Sequence, residues 1–128
     1  MPTILVADDH DDIRKALSIR LERNGFTVVP ASTGLEALQA ADTSSPALIL
    51  MDLNMPDLDG IETTLRLKRE KKLTHIPIIA LTAYALPGDQ TRALNAGCDD
   101  FHPKPYDFDR LLAQINTLIS ARQDATNA

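Results

Sequence analysis

The sequence predicts an α/β protein built as a doubly wound, five-stranded parallel sheet with five helices. Five short apolar runs alternate with five stretches of helical periodicity, and such alternation builds parallel sheets covered on both faces. The apolar runs are continuous rather than alternating, as strands buried on both sides are. The 128 residues are 44% hydrophobic and 24% charged, which suits one domain with a real core. No internal repeat, low-complexity tract or linker interrupts it. The domain is set at residues 1–121, with 122–128 a polar C-terminal tail.

Thr3-Ile4-Leu5-Val6-Ala7 is β-branched and apolar and meets Asp8-Asp9, so a short buried strand ends in acid. From about Asp11 to Asn24 the period becomes helical, with Ile13, Leu17 and Leu21 recurring and Ala16 beside them. Asn24-Gly25 supplies the left-handed stop. Phe26-Thr27-Val28-Val29 is the second strand. Ser32-Thr33-Gly34 opens a helix carrying Leu35, Leu38 and Ala41. Thr43-Ser44-Ser45-Pro46 loops to the third strand, Ala47-Leu48-Ile49-Leu50-Met51, and Asp52 stands at its end. Pro56-Asp57-Leu58-Asp59-Gly60 turns into a third helix with Ile61, Thr64, Leu65 and Lys68. Its basic run, Lys68-Arg69-Glu70-Lys71-Lys72, reads as a solvated helix end that complements the dipole.

Ile76-Pro77-Ile78-Ile79-Ala80-Leu81 is the fourth strand, ending at Thr82. Pro87-Gly88-Asp89 starts a short helix that stops at Asn95-Ala96-Gly97. Asp100-Phe101-His102-Pro103 is the fifth strand, and its proline assigns it to a sheet edge. Phe108, Leu111, Leu112, Ile115, Leu118 and Ile119 draw one apolar stripe along the last helix. Ala121 to Ala128 is polar and expected to fray.

A net charge of −5, with Lys and Arg scattered, argues against nucleic acid or an anionic membrane as direct partners. The single Cys98 cannot form an internal disulfide and reads as a small buried hydrophobe. No apolar run approaches the ~18 residues of a membrane span, and without a basic segment followed by a long apolar stretch at the N-terminus no signal peptide is expected. The expected compartment is the cytoplasm. His10, His75 and His102 share no metal-ligand spacing and read as surface or loop residues, His10 near the rim of the acidic pair.

Parallel strands bring their C-terminal ends to one edge, where ligands of open α/β sheets bind. Asp8, Asp9, Asp52, Thr82 and Lys104 gather there. Three carboxylates in one cleft repel each other. The Lys104 ammonium and a divalent cation offset them, and hard oxygen donors suit Mg²⁺. Adjacent strand residues point to opposite faces, so Asp8 and Asp9 both reach the cleft only if the strand end bends. One is expected to bind metal directly and the other through water. Mg²⁺, Lys104 and the Thr82 hydroxyl can each meet a phosphoryl oxygen, and Asp52 at the centre can act as nucleophile to form an acyl phosphate. Singly, each residue has a plainer role as helix cap, strand-end hydroxyl or solvated lysine. Their convergence on one edge favours the site.

Five pieces in order carry a family resemblance: Val6-Ala7-Asp8-Asp9; Leu50-Met51-Asp52-Leu53-Asn54-Met55-Pro56 with Asp59-Gly60; Ile76-Pro77-Ile78-Ile79-Ala80-Leu81-Thr82-Ala83; Asn95-Ala96-Gly97-Cys98-Asp99-Asp100-Phe101; and Lys104-Pro105. Over residues 3 to about 121 the chain resembles a two-component response-regulator receiver domain of the CheY-like superfamily. The resemblance implies the flavodoxin-like strand order 2-1-3-4-5. It implies that Asp52 takes a phosphoryl group from a histidine kinase or histidine phosphotransfer protein. Asp8, Asp9 and Asp52 would hold Mg²⁺, with the Asn54 backbone carbonyl as a further ligand. Lys104, Thr82 and Ala83 would contact the phosphoryl group, and the Lys104-Pro105 bond would be cis. Thr82 and Phe101 would form the switch, changing a face of the fourth helix, fifth strand and fifth helix that a target protein reads. Phe101 lacks the tyrosine hydroxyl common at that position. Pro103, where small or aliphatic residues are common, is expected to stiffen the edge strand and damp coupling from Thr82. Asn54 and Tyr84 match positions that tune dephosphorylation. On this reading the chain is a phosphoacceptor rather than an enzyme, limited to self-phosphorylation from small donors and self-dephosphorylation.

Other readings fare worse. Asp57-Leu58-Asp59-Gly60 mimics the DxD of haloacid-dehalogenase-type phosphatases, but Asn54-Met55-Pro56 separates it from the strand, and a helix-capping turn explains it better. A flavodoxin-like nucleotide binder wants a Gly- or hydroxyl-rich loop after the first strand, where Asp8-Asp9-His10 stands. A docking module that never turns over phosphate would not need every site position filled. With the chain ending soon after the fifth helix, no output domain is expected; the expectation is a stand-alone regulator, favoured by Met1 just before the first strand, or a receiver cut from a hybrid histidine kinase. Tyr84 is bulky enough to shield an acyl phosphate from water. Tyr84→Ala should then lose its phosphoryl group faster, and an unchanged loss rate counts against that role.

Overall fold

Side-chain alternation along the strands decides what each face of the sheet buries. The computed structural model describes residues 2–83 and 88–127, the last five by backbone alone. The elements are β1 (Thr3–Ala7), α1 (Asp11–Arg23), β2 (Thr27–Ala31), α2 (Gly34–Ser44), β3 (Leu48–Asp52), α3 (Gly60–Arg69), β4 (Ile78–Thr82), α4 (Asp89–Ala96), β5 (Asp100–Pro103) and α5 (Phe108–Asn127). The strands pair in parallel in the order β2-β1-β3-β4-β5. The doubly wound sheet and the strand order are therefore as expected.

Leu5, Ala7, Ile49, Met51, Ile78 and Ala80 point to one face and pack with Ala37, Ala41, Leu67 and Ala93 of α2, α3 and α4. Ile4, Val6, Leu48, Leu50, Ile79 and Leu81 point to the other, against Leu17 and Leu21 of α1 and Leu111, Ile115 and Ile119 of α5. Both faces of β1, β3 and β4 are dry, which is why those runs are uniformly apolar. The same parity carries on past the apolar residues. Asp8 continues from Ile4 and Val6, and Asp52 from Leu48 and Leu50, toward the α1–α5 side. Thr82 continues from Ile78 and Ala80 toward the α3–α4 side.

The structure departs from the sequence expectation at several points: α2 runs on through Ser44, and β4 starts only at Ile78. β2 begins at Thr27 and includes Pro30, which an edge strand tolerates because its outer amides need no partner; Phe26 is instead buried in the core. α5 continues to Asn127, past the end of its apolar stripe. Lys68 is not a solvated helix end. Its side chain is 19% exposed, and Nζ donates to the carbonyls of Thr74 at 3.1 Å and Ile76 at 2.9 Å, clasping the turn into β4.

His102, expected at the surface, is fully buried. Its register opposite Leu81 turns it beneath α5. There its Nδ1 lies 2.7 Å from Gln114 Oε1, and Nε2 accepts from the Asp107 amide at 3.2 Å. An Nε2 acceptor makes the ring neutral, with its proton on Nδ1.

The turn after β3 is built to bring α3 close. Asp57 takes a left-handed φ of 67°, a conformation short polar residues tolerate. Asp59 caps α3 by accepting from the Glu62 amide at 2.8 Å. Gly60 then sits so near β3 that a Cβ would meet the Asp52 carbonyl oxygen at 2.3 Å and Leu53 Cα at 2.7 Å. Backbone cannot yield as a flexible side chain can. Gly60→Ala should destabilise the fold by about 1–3 kcal/mol, read as a lower urea midpoint, and an unchanged midpoint would refute the close approach.

Candidate functional site

The end of β1 does bend, and three contacts hold it. The Asp8 amide donates to the Ala31 carbonyl of β2 at 3.0 Å. The His10 amide turns back onto Asp8 Oδ1 at 2.9 Å, the local closure short acidic side chains favour. Arg14, one turn into α1, donates from Nη1 to the Asp8 carbonyl at 2.7 Å. Asp8, Asp9 and Asp52 thereby converge, and His10 with them: one ligating atom from each lies within 4.8 Å of the others.

Asp8 and Asp52 are almost wholly buried, and the Lys104 side chain is only 8% exposed. Lys104 Nζ donates to Asp8 Oδ2 at 2.7 Å and lies 3.4 Å from Asp52 Oδ2, an ion-pair contact without hydrogen-bond geometry. The Tyr106 hydroxyl also donates to Asp8 Oδ2, at 3.1 Å. Asp8 is thus saturated, with Lys104 and Tyr106 on one oxygen and His10 on the other. Burial alone would raise its pKa, but the Lys104 hydrogen bond and the His10 amide bring it below the usual carboxylate value.

Asp52 goes the other way. Burial raises its pKa to about 6, with the neighbouring Asp8 charge adding to it, against the opposing pull of the Asn54 amide and Lys104. That amide donates to Asp52 Oδ1 at 3.0 Å. Burial and the facing carboxylates likewise push the Tyr106 hydroxyl well above its ordinary value, so it stays a donor.

Two buried carboxylate oxygens, Asp9 Oδ1 and Asp52 Oδ2, have no hydrogen-bond partner among the described residues. Leaving such atoms unmatched is costly. Three carboxylates face one ammonium, and the unmatched donors are hard oxygens. The residues present therefore suit an oxygen-seeking dication such as Mg²⁺.

Thr82, buried at the end of β4, lines a cavity of about 260 Å³ with Asn54, Asp59 and Arg92, on the α3–α4 side of the sheet edge. Ala83 and Asn54 are exposed, and Phe101 is half-buried against the α2–α4 core. The Lys104-Pro105 bond is cis. Tyr84 falls outside the described residues.

Sequence reasoning missed Arg14, Tyr106 and the inward turn of His10. Tyr106 carried a signal: it follows Lys104 at the same sheet edge, and a tyrosine buried there needs a hydroxyl partner. Arg14 carried almost none, because its target is a backbone carbonyl.

The sheet and this acidic pocket define a flavodoxin-like α/β protein whose chemistry lies at the carboxyl edge of the strands. A family model described as the response regulator receiver domain matches residues 4–116, and the chain belongs to that family. The polar-differentiation response regulator DivK of Brucella ovis is 34% identical over 117 residues, spanning 91% of this chain and 95% of that one. The receiver domain of a Francisella response regulator superposes with a TM-score of 0.88 at 32% identity, covering 94% of this chain and 98% of the other. The receiver domain of a sensor histidine kinase from Pseudomonas aeruginosa PAO1 gives a TM-score of 0.87 at 31% identity, with 93% and 98% covered; it was solved with a magnesium ion coordinated in its active-site cleft.

The raised pKa of Asp52 has a consequence for stability. Below its unfolded value the folded state gains nothing from this group. Between 3.8 and about 6 the folded state holds the proton more tightly, so stability falls as pH rises through that window. Without divalent ions, Asp52→Asn should therefore match the wild type near pH 4. It should exceed the wild type by on the order of 2–3 kcal/mol at pH 8. Urea midpoints across that pH range, with chelator, check this, and added Mg²⁺ should narrow the gap.

Proposed function

We propose that Asp52 accepts a phosphoryl group from a phosphohistidine and that the resulting acyl phosphate switches a protein-binding face. The observation that carries this reading is Asp52 Oδ2: buried, without a hydrogen-bond partner among the described residues, and 3.4 Å from the Lys104 ammonium. A carboxylate held this way is desolvated enough to attack yet paired closely enough to remain ionised at neutral pH. In the transfer, a carboxylate oxygen of Asp52 bonds to phosphorus, the phosphorus–nitrogen bond of the phosphohistidine breaks, and its electron pair stays with the imidazole. Lys104, 3.4 Å from Asp52 Oδ2, would neutralise a phosphoryl oxygen in that transition state. Asp9 and Asp52 would hold Mg²⁺ directly, with Asp8 reached through water because its oxygens already accept from other donors, and with the Asn54 carbonyl as a further ligand. The cation would supply charge neutralisation on the phosphoryl oxygens.

Thr82 is proposed to turn toward the phosphoryl group beside Ala83, with Phe101 moving inward and altering the surface of α4, β5 and α5. The phosphodonor partner would be a histidine kinase or phosphotransfer protein, and the reader a target protein on that surface. The protein would work in the cytoplasm as a regulator rather than a turnover enzyme. Among the described residues no helix is long and apolar enough to cross a membrane.

With acetyl phosphate and Mg²⁺, the intact chain should gain the mass of one phosphoryl group. Asp52→Asn should gain none, and chelator should abolish the gain. Phosphorylation persisting in Asp52→Asn would move the acceptor elsewhere. Partner binding left intact by that substitution would replace the switch with constitutive docking.

A further inference from the structure

His10 is the residue that the phosphoacceptor reading leaves without a role. It caps α1 in an extended conformation, its amide is tied to Asp8 Oδ1, and its carbonyl accepts from Arg14 N at 2.9 Å. Its backbone is therefore fixed on both sides. Its side chain is 61% exposed, yet the ring does not face away from the acids: Nδ1 lies 3.2 Å from Asp8 Oδ1 and 3.2 Å from Asp9 Oδ1. Two donor atoms each about 2.1 Å from a shared tetrahedral ion stand about 3.4 Å apart. The ring and the Asp9 carboxylate, 3.2 Å apart, are close to that spacing. Asp9 Oδ1 is one of the two buried oxygens without a hydrogen-bond partner among the described residues, and Asp52, which carries the other, contributes a carboxylate oxygen to the same group.

We propose that His10 Nδ1 is a ligand of the cation held by Asp9 and Asp52, so that the pocket binds borderline transition-metal dications such as Zn²⁺ through a nitrogen bond Mg²⁺ does not use. The proposal rests on the reading that these acids hold a divalent cation. Imidazole suits Zn²⁺, Cu²⁺ and Ni²⁺, whereas Mg²⁺ favours carboxylate, carbonyl and water oxygens. Asp9, Asp52 and His10 give Zn²⁺ three protein ligands and leave a fourth position open. Ligation requires the Nδ1 lone pair, so the ring proton moves to Nε2 on the solvent side. The ring then gives up its 3.2 Å contact with Asp8 Oδ1, which the His10 amide continues to serve at 2.9 Å.

The test uses the full chain, without an affinity tag and stripped of metal, titrated calorimetrically with ZnCl₂ and with MgCl₂. His10→Ala and His10→Gln are compared with wild type after thermal melting confirms that both fold. The expected result is a loss of Zn²⁺ affinity of at least about tenfold in both variants, with Mg²⁺ affinity changed by less than about twofold. In long-range proton–nitrogen spectra, Zn²⁺ should shift the His10 Nδ1 resonance and Mg²⁺ should not, with the rings of His75 and His102 as internal controls. Zn²⁺ affinity unchanged by both substitutions would overturn the proposal. So would equal losses for both ions, which would make His10 a support for Asp8 only. A wild type that binds neither ion would defeat the cation reading itself, a result distinct from Mg²⁺ binding with Zn²⁺ indifferent to His10.

Discussion

Lys104 brings its ammonium into a pocket where Asp8 and Asp52 are already shut off from water, and the charge arrangement there depends on it. It sits 2.7 Å from one carboxylate and 3.4 Å from the other. One cation cannot satisfy two buried anions equally. The closer contact lets Asp8 stay ionised, while Asp52, with burial outweighing its donors, is left protonated more readily than an ordinary aspartate. The uneven split makes the two acids chemically different although both are aspartates on neighbouring strands.

The fold makes that placement possible by register and parity. β1 and β3 run side by side with Ala7 opposite Met51, so Asp8 and Asp52 are neighbours on the α1–α5 side of the sheet edge. Lys104 arrives from beyond β5, on the far side of β4, and must reach across it. Its own amide is tied to the Thr82 carbonyl at 2.7 Å, which starts that reach from a fixed point. Gly60 lets α3 close over the Asp52 backbone from the other direction. Each constraint is local, and together they leave the Asp52 carboxylate little freedom.

Much of this was legible in the sequence because it depends on apolar runs and on where they stop. The element order, the acids at strand ends, the cap at Asp59 and the edge position of β5 all follow from periodicity and turn chemistry. What escaped depends on which way a side chain turns. His102 is polar in a strand with a proline, which suggests exposure; a one-residue parity from Phe101 sends it under α5 instead. Pro30 hid the end of β2, because only the strand order reveals that this strand is also an edge. Arg14 acts on a carbonyl, and backbone acceptors leave no trace in composition. His10 reads as a loop residue until the bend after Asp8 turns its ring inward.

The contacts that bury His102 also bear on its neighbour. Gln114 donates to the Phe101 carbonyl at 3.1 Å and to Asp100 Oδ2 at 2.9 Å, while Asp100 Oδ1 accepts from the Phe101 amide at 2.8 Å. Both peptide groups of Phe101 are therefore fastened, one of them to the adjacent helix. Its aromatic ring can reorient only by torsion about its own side-chain bonds, like a latch on a fixed frame. Peeling the edge strand away would first have to break the anchor to Gln114.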